Sequence, residues 1–421
     1  MMPHPARVAE SWGRLRTMTD RTFDLVVFGA TGFTGRLVAE YLLSKSDLRW
    51  AIAGRNEAKL DAVRKELGAP DLPSIIADSK DSAALDALCA QTRVLITTVG
   101  PYYVYGKEVV AACARQGTHY CDLTGESHFV AYTASTHHAA AKESGARIVH
   151  NAGYDSIPSD LGVWMMHEAM QERGATLRSV SAFATAKGTA SGGTIDTLRT
   201  SITAAGKDKE VRRNMADPYA LYPEGEERGL DKGDNRGPYF DADGDSYAAP
   251  FVMAGTNGPV VRRSNALLGF PYGREFRYRE VMPTGRGVGG WMKAWGVALA
   301  LGAFVGGMSL PPTRWLLDRV LPKPGDGPDR AAREAGWFKH TFVAKGVTEG
   351  GEEIVLRGMV SGDKDPGYGA TAIMLSETGL CLALDDQDTE HPGGIHTTAS
   401  AMGTTLIERL RAAGIRFELQ E

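Results

Sequence analysis

The stretch Phe23-Asp-Leu-Val-Val-Phe-Gly-Ala-Thr-Gly-Phe-Thr-Gly35 constrains this chain more than any other segment. Leu25 to Phe28 is a short run of β-branched and large apolar residues, the pattern of a strand buried on both faces of a parallel sheet. Three glycines follow, and then Leu37, Val38, Tyr41 and Leu42 fall at helix spacing. Strand, glycine loop, helix is the order that makes a phosphate site. A helix start presents unpaired N–H groups and the positive end of its dipole, and glycines let a diphosphate approach the main chain. Gly29, Gly32 and Gly35 are spaced G-x-x-G-x-x-G rather than the usual G-x-G-x-x-G, so the loop alone also fits a tight turn that holds no ligand. Gly29, Thr31, Gly32, Phe33, Thr34 and Gly35 are the candidate contacts.

The following segments favour a dinucleotide. Arg49 to Ala53 reads as a second strand ending in Gly54, and Arg55 stands where an NAD-binding domain carries an acid for the ribose 2′-hydroxyl. A guanidinium there, with Asn56 and Lys59 beside it, suits the 2′-phosphate of NADP. The alternative is a solvated Arg55 opening the helix that runs to Leu67. Ser74 to Ala77 is a third strand, and Asp78 at its end either meets the adenine edge or caps the helix beginning near Ser82. Val94 to Val99 is a fourth strand, closed by Gly100 and Pro101 at the edge of the expected cofactor site. Strands and helices thus alternate from residue 23 to 99, predicting a Rossmann-type parallel sheet covered on both faces, with its ligand at the carboxyl ends of the strands.

At 421 residues the chain should divide into two domains. With 47 basic and 51 acidic side chains there is no sign of a nucleic-acid face. Cys89, Cys113, Cys121 and Cys381 are scattered without zinc or disulfide spacing, so no metal site is expected and a cytoplasmic setting fits. The first 17 residues carry His4, Arg7, Arg14 and Arg16 and lack an apolar core, unlike a secretory signal. They are expected to be a disordered extension ahead of a functional start at Met18.

After the fourth strand, Tyr102, Tyr103 and Tyr105 lie in a loop on the nicotinamide side, ahead of a helix from Lys107 to Gln116. Each phenol is either a donor to a substrate carbonyl or an amphipathic wall residue. Residues 118–126 read as another strand and a polar turn, in which Asp122 and Glu126 serve as acid or base or else cap the helix from Ser127. His137 and His138 on that helix read as surface residues. Arg147 to Val149, a further strand, leads into Asn151-Ala-Gly-Tyr-Asp-Ser-Ile-Pro-Ser-Asp160.

Taken in order, the glycine loop, Ala53-Gly-Arg55, Val99-Gly-Pro-Tyr102, Tyr120-Cys-Asp-Leu-Thr-Gly-Glu126 and Gly153-Tyr-Asp-Ser-Ile-Pro-Ser-Asp160 resemble the saccharopine dehydrogenase-like oxidoreductases. Among these the likeness is to the bacterial group described as trans-acting enoyl reductases, and it covers nearly the whole chain from Met18. The resemblance implies a nucleotide-binding domain followed by an α+β domain inserted before a closing C-terminal helix. On that division residues 18–155 and 396–421 form the dinucleotide-binding domain, and 156–395 the substrate or dimerisation domain.

The second part reads compatibly. Ser179 to Thr185 is strand-like, and Ser191-Gly-Gly-Thr194 opens a helix through Thr203, either a second anion-binding start or a plain capped helix. Residues 208–283 read as loops and short strands. Asp241-Ala-Asp-Gly-Asp245 begins like a calcium loop but has Ser246 and Val252 where glycine and glutamate are required. Within an apolar segment at 291–313, residues 294–313 carry no charge. The length borders on a membrane span, but its glycines and Pro311-Pro312 favour a hydrophobic hairpin. That hairpin, with the amphipathic stretch to Val320, lies on a lipid surface or over a greasy channel; the alternatives are a dimer contact and a buried core helix. His340 to Lys345 and Glu353 to Val360 form a hairpin about Glu349-Gly-Gly351. Tyr368 to Leu384 and Thr397 to Ala413 are helical.

The sequence therefore predicts an NADP-dependent reductase with substrate between the domains and Tyr102, Tyr105 or Tyr154 as the donor to the substrate carbonyl. A hydrophobic enoyl substrate is expected. The rival readings are an imine or amino-acid reductase, whose cleft should carry several Arg or Lys, and a non-catalytic nucleotide-binding protein at lipid surfaces.

Overall fold

A computed structural model describes residues 21–45, 48–188, 192–233, 237–320, 327–385 and 392–420. The expected N-terminal extension lies outside them, as does Ser191. The strands, in order, are β1 (Phe23–Phe28), β2 (Trp50–Gly54), β3 (Ser74–Ile76), β4 (Thr92–Thr97), β5 (His119–Asp122), β6 (Arg147–Val149) and β7 (Ala175–Lys187). They continue with β8 (Tyr239–Asp241), β9 (Ser246–Pro250), β10 (Arg277–Gly285), β11 (Trp337–Thr348), β12 (Glu353–Gly362), β13 (Gly394–His396) and β14 (Arg416–Gln420).

These strands form two sheets. The first, ordered β13-β6-β5-β4-β1-β2-β3, is parallel throughout and is the Rossmann-type sheet expected from the sequence. Its central strand shows why a continuous apolar run was needed. Leu25 and Val27 enter the core beneath the helices Phe33–Leu43 and Thr371–Leu384, while Val26 and Phe28 enter a second core beneath Ser82–Ala90 and Lys107–Gln116. The second sheet, β14-β12-β11-β7-β10-β9-β8, is mixed: β7 and β10 run parallel and the other neighbours antiparallel. The helix Ile157–Gln171 lies against it, and its Ile157, Leu161, Val163, Met165, Met166 and Met170 belong to the same cluster as Leu25 and Val27, so one continuous core joins the two sheets.

Four expectations are corrected. Residues 208–283 are not all loops and short strands: Lys209–Ala216 and the buried Ala254–Leu267 are helices. The second escaped notice because it buries Asn257, Arg262, Arg263, Ser264 and Asn265 and contains Pro259, so no apolar period marks it. The apolar segment is one continuous helix, Gly287–Ser309, not a hairpin within itself; the break falls at Leu310, before the two prolines. The closing helix is split in two, Thr398–Ala401 and Gly403–Ala412, where Gly403 adopts a φ of +46°. The division at residue 396 also does not follow the sheets, since β13 pairs with β6 of the first sheet whereas β14 pairs with β12 of the second.

His138, expected at the surface, is half-buried, and its Nδ1 accepts the Ile395 amide at 3.1 Å, fixing β13 at the sheet edge.

The joint between the sheets is tight at Gly162, where an added Cβ would stand 2.4 Å from Cζ of Phe342. Gly162→Ala gains about 1 kcal/mol of helix propensity, but overpacking costs about 1–3 kcal/mol. The variant should therefore unfold at lower urea than the parent; an unchanged or raised midpoint would contradict this packing.

Candidate active site

The helix Phe33–Leu43 starts at Gly32 with no side-chain cap, so its first turn keeps N–H groups free for a ligand. Gly29, at a φ of +96°, turns the chain out of β1; a Cβ there would come within 2.8 Å of Thr98 Oγ1 and Val99 Cγ2. Gly35 is required for a different reason. A Cβ on it would lie 2.3 Å from the Gly29 carbonyl oxygen, so helix and strand end can approach only without one. At Gly32 the added atom would meet only the Gly29 oxygen, at 3.3 Å, and this residue borders the cleft.

Two cavities meet at this loop. One, of about 480 Å³, is bordered by Gly29, Thr31, Gly54, Arg55 and Tyr105. The other, of about 430 Å³, is bordered by Gly32, Phe33, Thr34, Gly35, Tyr102 and Asp155, and both are walled by Gly100, Pro101 and Asp196. An extended ligand can thus cross the helix head with one end in each cavity. These residues fit NADP. The uncapped amides of Phe33, Thr34 and Gly35 suit its diphosphate, and the exposed Arg55 guanidinium suits a 2′-phosphate in the first cavity. The nicotinamide end would then lie in the second.

Glu126, Asp155, Asp196 and His128 border the second cavity, with Asp122 in the fold behind it. Glu126 accepts the amides of Tyr102 at 2.8 Å and Tyr103 at 2.9 Å, so it holds the loop after β4 rather than the helix from Ser127, as had been expected. Burial pushes its carboxyl up to about 7, against the opposing pull of those two amides. His128, buried nearby, is lowered to about 4 by desolvation and then by Lys107, and is neutral near pH 7. Desolvation raises Asp155 to about 6. Asp122 is fully buried and engaged within the fold: it accepts the Tyr120 hydroxyl at 2.7 Å and lies 2.7 Å from His150 Nδ1.

The expected donors are placed otherwise than the sequence implied. Tyr102 borders the second cavity, but its hydroxyl donates to the Thr97 carbonyl at 3.1 Å. Tyr105 borders the first cavity, on the side of Arg55. Tyr154 is buried against Phe338, and its hydroxyl lies 3.2 Å from His340 Nε2. The hydroxyls of Tyr102 and Tyr154 are thus engaged within the fold, while Tyr105 stands on the wall of the first cavity. Asn56 caps the helix Glu57–Glu66 by accepting the Lys59 amide, and Asp78 accepts the Lys80 amide in a local turn, while the cap of the following helix is Asp81. Asp155 was not singled out by sequence reasoning. Its only signal was its place in the loop after a sheet strand, just ahead of the helix from Ile157.

A Rossmann-type sheet with an open helix head and an arginine at the end of its second strand, closed by a second mixed sheet, defines an NADP(H)-dependent oxidoreductase. Residues 25–149 match the family model of the saccharopine dehydrogenase NADP binding domain. A Mycobacterium tuberculosis protein provisionally named a trans-acting enoyl reductase is 42% identical over 425 residues, covering 96% of this chain and 98% of its own. A trans-acting enoyl reductase from Mycobacterium bovis is 39% identical, covering 94% of this chain and 97% of its own. The fold is similar to that of apo saccharopine dehydrogenase (L-Glu forming) from Saccharomyces cerevisiae, at a TM-score of 0.54 and 12% identity over 94% of this chain and 99% of the other. The chain belongs to the trans-acting enoyl reductase family of saccharopine dehydrogenase-like oxidoreductases.

Two outcomes are expected. Arg55→Ala should weaken NADPH binding by about tenfold or more in calorimetry, the loss of one charge-assisted pair, and leave NADH binding unchanged. Equal losses for both nucleotides would contradict the role given to Arg55. Because the Glu126 carboxyl sits higher in the folded chain than its ordinary value of 4.5, its favourable contribution is present below that value and is lost as pH rises toward about 7. Urea midpoints measured from pH 4.5 to 7.5 should show this decline in the parent and a smaller one in Glu126→Gln.

Proposed function

We propose that this enzyme uses NADPH to reduce the carbon–carbon double bond of a hydrophobic enoyl thioester of lipid or polyketide type. The observation that carries this reading is the lining of the second cavity. It contains Phe33, Leu123, Leu198, Met215, Val252 and Met253, and no Lys or Arg among its described residues. An imine or amino-acid substrate brings a carboxylate that needs such a cation, whereas an acyl chain needs apolar walls. The names of the mycobacterial relatives support the same reaction. The four cysteines, all buried and none in a disulfide, suit the reducing cytoplasm in which we place the enzyme.

When bound, NADPH supplies hydride to the β-carbon, and the negative charge that builds on the thioester is discharged by a proton at the α-carbon. In this reading Asp155 holds that proton. Among the described residues none hydrogen-bonds its carboxylate, leaving both oxygens for a ligand, and burial raises it to about 6, so an appreciable fraction is protonated near neutrality. An acyl chain that expels water from the cavity raises it further. Glu126 keeps the Tyr102–Tyr103 turn in place, and the Tyr102 ring forms part of the wall.

Asp155→Asn should lower kcat for reduction of an enoyl thioester by about 10²–10⁴ with NADPH affinity unchanged. Since the protonated acid is the active form, the parent's kcat/KM should fall as pH rises through about 6 or somewhat above, and the variant should lack that limb. Full activity in the variant would remove Asp155 from the reaction. Faster NADPH oxidation with an α-keto acid and amine than with any enoyl thioester would overturn the substrate class.

A further inference from the structure

The helix Gly287–Ser309 is long and apolar enough to cross a membrane, yet little of it is buried. Its two faces differ in what they meet rather than in polarity. Gly290, Ala294 and Met308 turn inward against the fold, with Val297, Ala298, Leu301 and Phe304 half-buried on the same stripe. The opposite stripe shows Val288, Trp291, Met292, Trp295 and Leu299 to solvent, and Val288 and Leu299 are 74% and 67% exposed. An apolar face of this extent is unfavourable in water unless something covers it.

The topology rules out a span. The strand before the helix, β10, and the next strand after it, β11, both flank β7 in one sheet. A crossing helix would need a second crossing to bring the chain back, and the intervening helix Pro311–Val320 is too short and carries Arg314, Asp318 and Arg319. The helix must therefore lie along whatever it meets.

Two features identify the partner. From residue 286 to 320 there are four basic residues, Arg286, Lys293, Arg314 and Arg319, against a single acid, Asp318, in a chain of net charge −4. Exposed tryptophans stand near both ends of the apolar stretch, Trp291 and Trp295 at one and Trp315 beyond the other, with Arg319 stacked 3.6 Å from the Trp315 ring. An apolar face with amphipathic aromatic rings and flanking cations matches the interfacial zone of an anionic bilayer.

The segment is also tied to the site. Arg314 donates to Thr203 at 2.8 Å, and Thr203 belongs to the helix Gly192–Lys207, whose Leu198 and Ser201 border the second cavity.

We infer that the outer face of Gly287–Ser309, with the helix that follows it, docks in the plane of one leaflet of an anionic membrane. The reductase cleft is then presented beside the surface from which a greasy substrate is drawn. The docking does not depend on which acyl compound is reduced, and its test requires no turnover.

The full chain is mixed with vesicles of phosphatidylcholine alone, or with one quarter phosphatidylglycerol, and floated through a density gradient. The chain should float with the anionic vesicles, more weakly with neutral ones, and less at high salt, and its tryptophan emission should shift to the blue. The variant carrying Trp291→Ser, Trp295→Ser and Leu299→Ser changes only exposed side chains. It should partition at least tenfold more weakly and keep the parent's melting temperature and its affinity for NADPH in calorimetry. Absence of flotation with either vesicle would overturn the inference. So would a stable dimer in sedimentation that the triple variant dissociates, because the face would then be covered by a second copy.

Discussion

The contact between Gly35 and the carbonyl of Gly29 is the constraint on which the rest of the site depends. Only because neither residue carries a Cβ can the helix Phe33–Leu43 start against the end of β1. A helix displaced by even one methyl group would point its free amides away from the junction of the two cavities. The turn is supported from the next strand as well, where the Thr98 hydroxyl donates to the Gly29 carbonyl at 3.2 Å. The missing cap leaves the first amides of this helix open to a ligand, whereas Asn56, Asp81 and Asp208 engage amides at the starts of their helices.

Around that contact, polar groups that look catalytic by composition hold loops. Asp122 accepts the amides of Thr124 and Asn151 as well as the Tyr120 hydroxyl, joining the ends of β5 and β6. Asp160, also fully buried, takes the hydroxyls of Ser264 and Thr398 and the amide of Ala399, and so ties the helices Ile157–Gln171, Ala254–Leu267 and Thr398–Ala401 together. Each is a buried carboxyl group satisfied by several donors, as buried polar groups require. Asp155 differs because it borders the cavity and no described residue bonds its oxygens. That contrast, rather than its pKa alone, separates it from its neighbours.

Six strands of the first sheet, β1 to β6, were legible in the sequence as short strand-like runs alternating with helix-period segments, but the edge strand β13, Gly394-Ile-His396, carries no such pattern. The place of Arg55 beside the first cavity was legible for a related reason, since its position is counted from the end of β2. The second sheet's hairpin was visible about Glu349-Gly-Gly351, but Ala254–Leu267 was not, as its buried Arg262 and Arg263 read as surface residues. They are buried because Arg262 pairs with Asp231, and Arg263 donates to the carbonyls of Leu221 and Ile395, all distant in sequence. The surroundings of Tyr102 and Tyr154 were hidden for the same reason. A phenol in a loop is recognisable as a possible donor, but whether its hydroxyl is already taken, as by Thr97 or His340, is decided by tertiary contacts. Asp155 was missed because a single acid among several gives no pattern until the cavity is seen.

The central claim is that NADPH lies across the head of the first helix, with its 2′-phosphate on Arg55 and its nicotinamide in the apolar cavity beside Asp155. A crystal structure of the chain soaked with NADPH tests it most directly. The account predicts diphosphate oxygens about 3 Å from the amides at Phe33 and Thr34, with the nicotinamide ring between Pro101 and Asp155. A nucleotide bound elsewhere, or a ring turned away from that cavity, would contradict it.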